Sequence, residues 1–158
     1  LLPQKGGAEV LSPSLEDYLE EIYRFSLQNK VVRVSDVAEC LNVTLPSVNN
    51  AIRKLHEKEY LIYKKYRDLV LTEKGRRLGR FLVDRNRILQ GFLKAINSGC
   101  DVVKEAEAME HYLTLPTIRA IENLLDFLDN NHRCRQSFLE HCRHRKEKGL
   151  GLKNGYGE

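Results

Sequence analysis

The chain has 158 residues, with 26 Lys and Arg against 22 Asp and Glu, a net charge of +4, and no Trp. This is about one domain's worth or two small lobes, long enough for one sizeable core. Charges interrupt every apolar run, which predicts no transmembrane helix, and the first seven residues lack the basic start and apolar centre of a signal peptide. Cys40, Cys100, Cys134 and Cys142 are far apart and form no Cys-x-x-Cys pair, which fits a reducing cytoplasmic setting rather than a disulfide scaffold.

Charge is segregated along the chain. Residues 1–44 carry 4 basic and 7 acidic side chains, and residues 45–90 carry 12 and 5. Residues 91–130 carry 3 and 7, and residues 131–158 carry 7 and 3. A basic block set between acidic ones points to a polyanion-binding face on an acidic body.

Residues 1–11 are patternless and read as a flexible arm. Structure is expected from Ser12, with Ser14 and Asp17 as a capping box and Leu15, Leu19, Ile22 and Phe25 as a helical stripe. Val32-Arg33-Val34 reads as a short strand, and Ser35 as the cap of a second helix through Leu41. Asn42-Val43-Thr44 makes a turn into a third helix, from Leu45-Pro46 to Glu59, with Val48, Ile52 and Leu55 inward. Two short helices joined by a tight turn, the second with a polar outer side, make a helix-turn-helix.

Tyr60–Lys64 and Asp68–Thr72 are β-prone runs around Lys65-Tyr66-Arg67, the basic tip of a hairpin wing. A long helix follows from Thr72 or Glu73 to Ile96 and stops at Asn97-Ser98-Gly99. Further helices are expected at about 101–113, 115–130 and 132–148. The predicted protein is mainly α. A winged helix-turn-helix DNA-binding domain occupies 12–74, an all-α domain 75–148, and a flexible tail 149–158.

Three constellations carry chemistry. On the third helix, Pro46, Ser47, Asn49, Asn50, Arg53 and Lys54 lie on the polar side, with Ser35 on the helix before it and Lys64, Lys65 and Arg67 on the wing. Asn suits adenine edges, Arg suits guanine, and the lysines suit phosphates. His56 is expected to face solvent or phosphate. The second constellation is acidic: Asp17 and Glu20 share a face of the first helix, and Glu107, Glu110 and His111 form Glu-x-x-Glu-His on a later one. Carboxylates and an imidazole converging from one face suit a divalent cation, although pairs such as Glu20 and Arg24 are ordinarily solvated salt bridges. Third, His132, Cys134, His141, Cys142 and His144 have a metal-like composition, but their spacing fits no zinc finger, and an amphipathic basic dimerisation helix accounts for them better.

Taken in order, Ser14–Tyr23, Arg33–Ala38, Glu59–Arg67 and Leu69–Gly75 resemble the metal-dependent repressors, the diphtheria toxin repressor family, and within it the manganese transport regulator branch. The likeness runs from about Ser12 to Leu128 and leaves no room for the SH3-like domain of the iron-responsive branch. It implies that 75–148 is a metal-binding and dimerisation domain, and that the protein is a homodimer that binds a near-palindromic double-stranded operator. It also implies a pocket for Mn²⁺, or for Fe²⁺ or another transition metal, formed by Asp17, Glu20, Glu107, Glu110, His111 and a position in the long helix. The family has His at that last position; this chain has Asn86. An amide oxygen is a neutral, poorer donor than imidazole, so the site is expected to be weakened or limited to one ion. The competing reading is a winged-helix regulator that has lost or altered metal control. A hydrolytic enzyme has little support, since no Gly-rich phosphate loop or nucleophile elbow is present.

Overall fold

The structure, a computed structural model, describes residues 11–28, 31–63 and 68–150. In chain order these form α1 (Pro13–Leu27), α2 (Val34–Cys40), α3 (Leu45–Glu57), β1 (Leu61–Ile62), β2 (Val70–Leu71), α4 (Glu73–Ala95), α5 (Val102–Glu110), α6 (Leu115–Asn130) and α7 (His132–Glu147). Two compact units divide inside α4, one up to Asp84 and the other from Arg85 onward. The mainly helical winged architecture is the one expected.

In the first unit the helical stripes converge on one core. Leu19 and Ile22 of α1, Val37 of α2, Val48, Ile52 and Leu55 of α3 and Leu82 of α4 are all fully buried there. Leu11, expected in the arm, also lies in this core. The cap of α1 is Ser12 rather than Ser14: Pro13 needs no N–H and its fixed φ suits the first turn, so the helix starts two residues early. The carbonyl of Ser12 takes the amides of Leu15 (2.9 Å) and Glu16 (3.0 Å).

Val32–Val34 forms no strand. Val34 is the first residue of α2, Arg33 its cap and Ser35 already inside, with the Ser35 hydroxyl donating to Asp36 Oδ1 at 3.3 Å. The β-propensity of two valines yields to burial of Val32 and Val37 in the core. At α3, Thr44 Oγ1 accepts the amide of Ser47 (3.4 Å), and Pro46 sits in the first turn. This helix ends at Glu57, two residues before expectation, because Glu59 takes a left-handed φ of 61° and the Tyr60 amide closes onto the Leu55 carbonyl at 2.9 Å.

The hairpin is shorter than expected, with Leu61 paired to Leu71 and Ile62 to Val70. Leu61 and Leu71 point into the core while Ile62 and Val70 face out, the period-2 pattern of a half-buried ribbon. Thr72 locks its base: Oγ1 donates to the Glu59 carbonyl (2.6 Å) and accepts the amide of Gly75 (3.0 Å). Lys74 Nζ donates to the Lys58 carbonyl at 2.8 Å and lies 4.3 Å above the Tyr60 ring.

The second unit has a smaller core of Leu89 and Leu93 from α4, Ala106 from α5 and Ile118 from α6. Asn97 (φ 51°) and Gly99 (φ 74°) end α4 where expected. Asp101 caps α5 by accepting the Lys104 amide at 3.3 Å. α5 stops at Glu110, not 113, because Thr114 must already be extended as the cap of α6, with Pro116 in the first turn. α7 buries no residue among those described.

At Gly75 a Cβ would stand 1.8 Å from the Tyr60 carbonyl oxygen. Gly75→Ala is therefore expected to destabilise the protein by about 1–3 kcal/mol, while Gly91→Ala, whose Cβ would meet only Leu125 Cδ1 at 3.3 Å, costs less. Urea denaturation of the two variants checks the difference.

Candidate metal centre and nucleic-acid interface

The outer side of α3 is a row of exposed polar groups. Pro46, Ser47, Asn49, Asn50, Arg53 and Lys54 are all exposed, while Val48, Ala51, Ile52 and Leu55 fill the opposite face. Arg53 Nη2 donates to Asn50 Oδ1 at 2.6 Å, so the two side chains are presented together. Such a pair offers a planar donor fork and an amide to base edges in a groove. Ser35 is exposed on α2. Lys64, Lys65 and Arg67 lie outside the described residues. His56 is exposed, as expected, and its Nδ1 lies 3.1 Å from the Leu61 carbonyl, which links α3 to β1.

On α1, Glu20 is buried and paired with the Arg24 guanidinium, which also lies 3.7 Å from Glu21; Asp17 is half-buried one turn earlier. The salt bridge foreseen for Glu20 and Arg24 thus exists, and a cation taking Glu20 would share its carboxylate with Arg24. Glu21 also acts on Cys40, whose thiol is pushed above its ordinary value, first by desolvation and then by this carboxylate. Cys40 is consequently a protonated, poor ligand near neutral pH.

The second unit holds a tighter assembly. Glu110, at the end of α5, is 2% exposed, and α4 brings Arg85 (7%) and Asn86 (8%) against it. Asn86 Nδ2 donates to Glu110 Oε2 at 3.0 Å, and Asn86 Oδ1 accepts from Gln90 Nε2 at 2.7 Å. Arg85 Nη2 lies 3.8 Å from Glu110 Oε1, and His111 Nε2 lies 3.7 Å from the same oxygen. Glu107 is exposed one turn earlier on α5.

Donor atoms sharing one ion at about 2.2 Å each stand roughly 3–4 Å apart, so Glu110 Oε1 and His111 Nε2 fit a common divalent cation. Asn86 presents N–H rather than a lone pair to Glu110. Its carbonyl reaches a cation only if the amide turns over and gives up both of its hydrogen bonds. No three members of the His132, Cys134, His141, Cys142 and His144 cluster converge on a metal-sized space among the described residues. His144 Nδ1 is instead 2.9 Å from the Glu140 carbonyl. Sequence reasoning missed Arg85 and Gln90, because nothing local ties them to a residue on another helix.

Residues 10–69 match the family described as iron dependent repressor, N-terminal DNA binding domain, and residues 72–139 its metal binding and dimerisation domain. The chain belongs to the iron-dependent repressor family. It is 40% identical over 139 residues to the HTH-type transcriptional regulator MntR of Geobacillus kaustophilus (strain HTA426), covering 87% of this chain and 98% of the relative. The MntR of Bacillus subtilis (strain 168) is 42% identical over 123 residues, 76% of this chain and 85% of that one. Among solved structures, the manganese regulator SloR superposes with a TM-score of 0.63 at 25% identity, over 74% of this chain and 55% of SloR. The metal-dependent transcriptional regulator MtsR gives 0.63 at 28%, over 74% and 55%.

As a member of this family, the protein is a metal-responsive, DNA-binding transcriptional repressor that works as a homodimer with a divalent metal, and it is not an enzyme. Among the described residues no helix is long and apolar enough to cross a membrane.

Asn86→Leu would strip one hydrogen bond from a buried carboxylate oxygen and leave Gln90 without its acceptor. The metal-free protein is expected to lose about 1–3 kcal/mol, measured by urea denaturation in the presence of chelator.

Proposed function

We propose that the protein is a Mn²⁺-responsive repressor of metal-uptake genes, acting in the cytoplasm, with a DNA-binding domain at 12–74 and a metal-binding and dimerisation domain at 75–148. The observation that carries this reading is the buried Glu110 carboxylate with the His111 imidazole 3.7 Å away, an oxygen and nitrogen donor pair. Hard and borderline donors without a thiolate or thioether favour Mn²⁺ or Fe²⁺ over softer ions. The names of the MntR relatives and of the manganese regulator SloR support Mn²⁺.

Glu110 and His111 would hold the ion, with Asp17, Glu20 and Glu107 completing its shell and Asn86 orienting Glu110. The ion supplies positive charge that these carboxylates share. Asp17 and Glu20 stand on α1, in the unit that carries α3, whereas Glu107, Glu110 and His111 stand on or beside α5. Their like charges oppose a common approach until they are neutralised. The coupling raises DNA affinity only as far as the DNA-competent arrangement holds the ion more tightly than others do.

Dimerisation would present two copies of α3 to the half-sites of a near-palindromic operator. Pro46, Ser47, Asn49, Asn50, Arg53 and Lys54 of α3 would face the groove, and Ser35, Lys64, Lys65 and Arg67 the backbone. Leu124 and Phe127, exposed on α6, suit burial against the second protomer. A second reading, DNA binding without metal control, draws on the hydrogen bond and ion pair that Glu110 already receives from Asn86 and Arg85.

Gel-shift titration separates the two. Mn²⁺ is expected to tighten operator binding by about 5–150-fold over chelator, and Asp17→Ala or Glu107→Ala to abolish that gain. Arg53→Ala is expected to weaken binding about 10–100-fold in either condition, the loss of one base contact. Equal affinity with Mn²⁺ and with chelator would leave only the second reading.

A further inference from the structure

α4 delivers three nitrogen-bearing side chains toward one carboxylate. Gln90 donates to Asn86, Asn86 donates to Glu110 Oε2, and Arg85 stands 3.8 Å from Glu110 Oε1. This relay has a direction, because each amide passes its N–H toward the acid. The guanidinium stands at ion-pair rather than hydrogen-bond distance, on the same oxygen that His111 approaches. A buried ion pair of this kind is seldom more stabilising than an apolar replacement, so stability alone does not account for it.

We propose that Arg85 is the resident counter-cation of the metal centre. Its guanidinium holds Glu110 in place before metal arrives, then competes with the metal for Glu110 Oε1. It thereby sets the metal concentration at which the protein responds. The guanidinium carries one fixed positive charge, so a monovalent ion gains nothing over it at Glu110, whereas a divalent ion does. Asn86 leaves Oε1 to this competition, since it donates to Oε2, and Gln90 donates to Asn86 rather than to the carboxylate. This inference rests on the metal-responsive reading above and adds the group that tunes it.

The test is calorimetric titration with MnCl₂ of the full chain and of its Arg85→Gln and Arg85→Lys variants, with thermal unfolding of each in chelator and in Mn²⁺. Arg85→Gln keeps donors but removes the charge. It is expected to bind Mn²⁺ about fivefold or more tightly than the parent, to unfold at lower temperature in chelator, and to recover in Mn²⁺. Arg85→Lys keeps the charge and is expected to stay within about twofold of the parent. A merely structural Arg85 would instead destabilise the variant equally with and without Mn²⁺.

If the parent binds Mn²⁺ and Arg85→Gln binds no more tightly, the counter-cation role is overturned and metal control stands. Should none of the three bind Mn²⁺, both fall. An Arg85→Gln chain that is unfolded in chelator but folds on adding Mn²⁺, seen by circular dichroism, supports the proposal; one that stays unfolded in saturating Mn²⁺ contradicts it.

Discussion

A carboxylate almost wholly withdrawn from water keeps its charge only beside a compensating positive group and donors that point at it. Glu110 is in that position. Its two oxygens are met by an amide, a guanidinium and an imidazole, two of them from a single turn of α4. This requirement adds a polar tie between α4 and α5 beside their apolar core and sets which side chains a divalent ion would encounter there. Removing either Glu110 or Arg85 would take from the other its oppositely charged neighbour 3.8 Å away.

The DNA-reading unit depends on different physics. Its core consists of apolar side chains from α1, α2, α3 and α4 sealed by the hairpin, and it contributes shape rather than charge. That rigidity lets α3 hold Arg53 and Asn50 in a fixed relation. His56 and Thr72 reinforce the connection, one tying α3 to β1 and the other tying the hairpin to α4. Polar residues that read as contacts for a ligand can thus serve as fasteners for the elements that make the contact.

Signals confined to a few residues were legible. Asn97-Ser98-Gly99 marked the end of α4, and the spacing of Val48, Ile52 and Leu55 revealed the inward face of α3. Where two local preferences competed, the weaker was misjudged: Pro13 moved the start of α1 ahead of Ser14, and the core drew Val34 into α2 instead of a strand. The relation between Asn86 and Glu110 could be named from family resemblance alone. Its character could not, because whether the amide offers oxygen or nitrogen depends on Gln90 four residues on and on Glu110, 24 residues away along the chain. Long-range electrostatic arrangements leave no periodic trace in a sequence.

Anomalous diffraction at the manganese edge from crystals grown with Mn²⁺ tests the account most directly. The account predicts a peak in contact with Glu110 Oε1 and His111 Nε2, with Arg85 drawn back and Asn86 still donating to Oε2. A peak elsewhere, or none while Arg85 remains paired with Glu110 in saturating Mn²⁺, would contradict it.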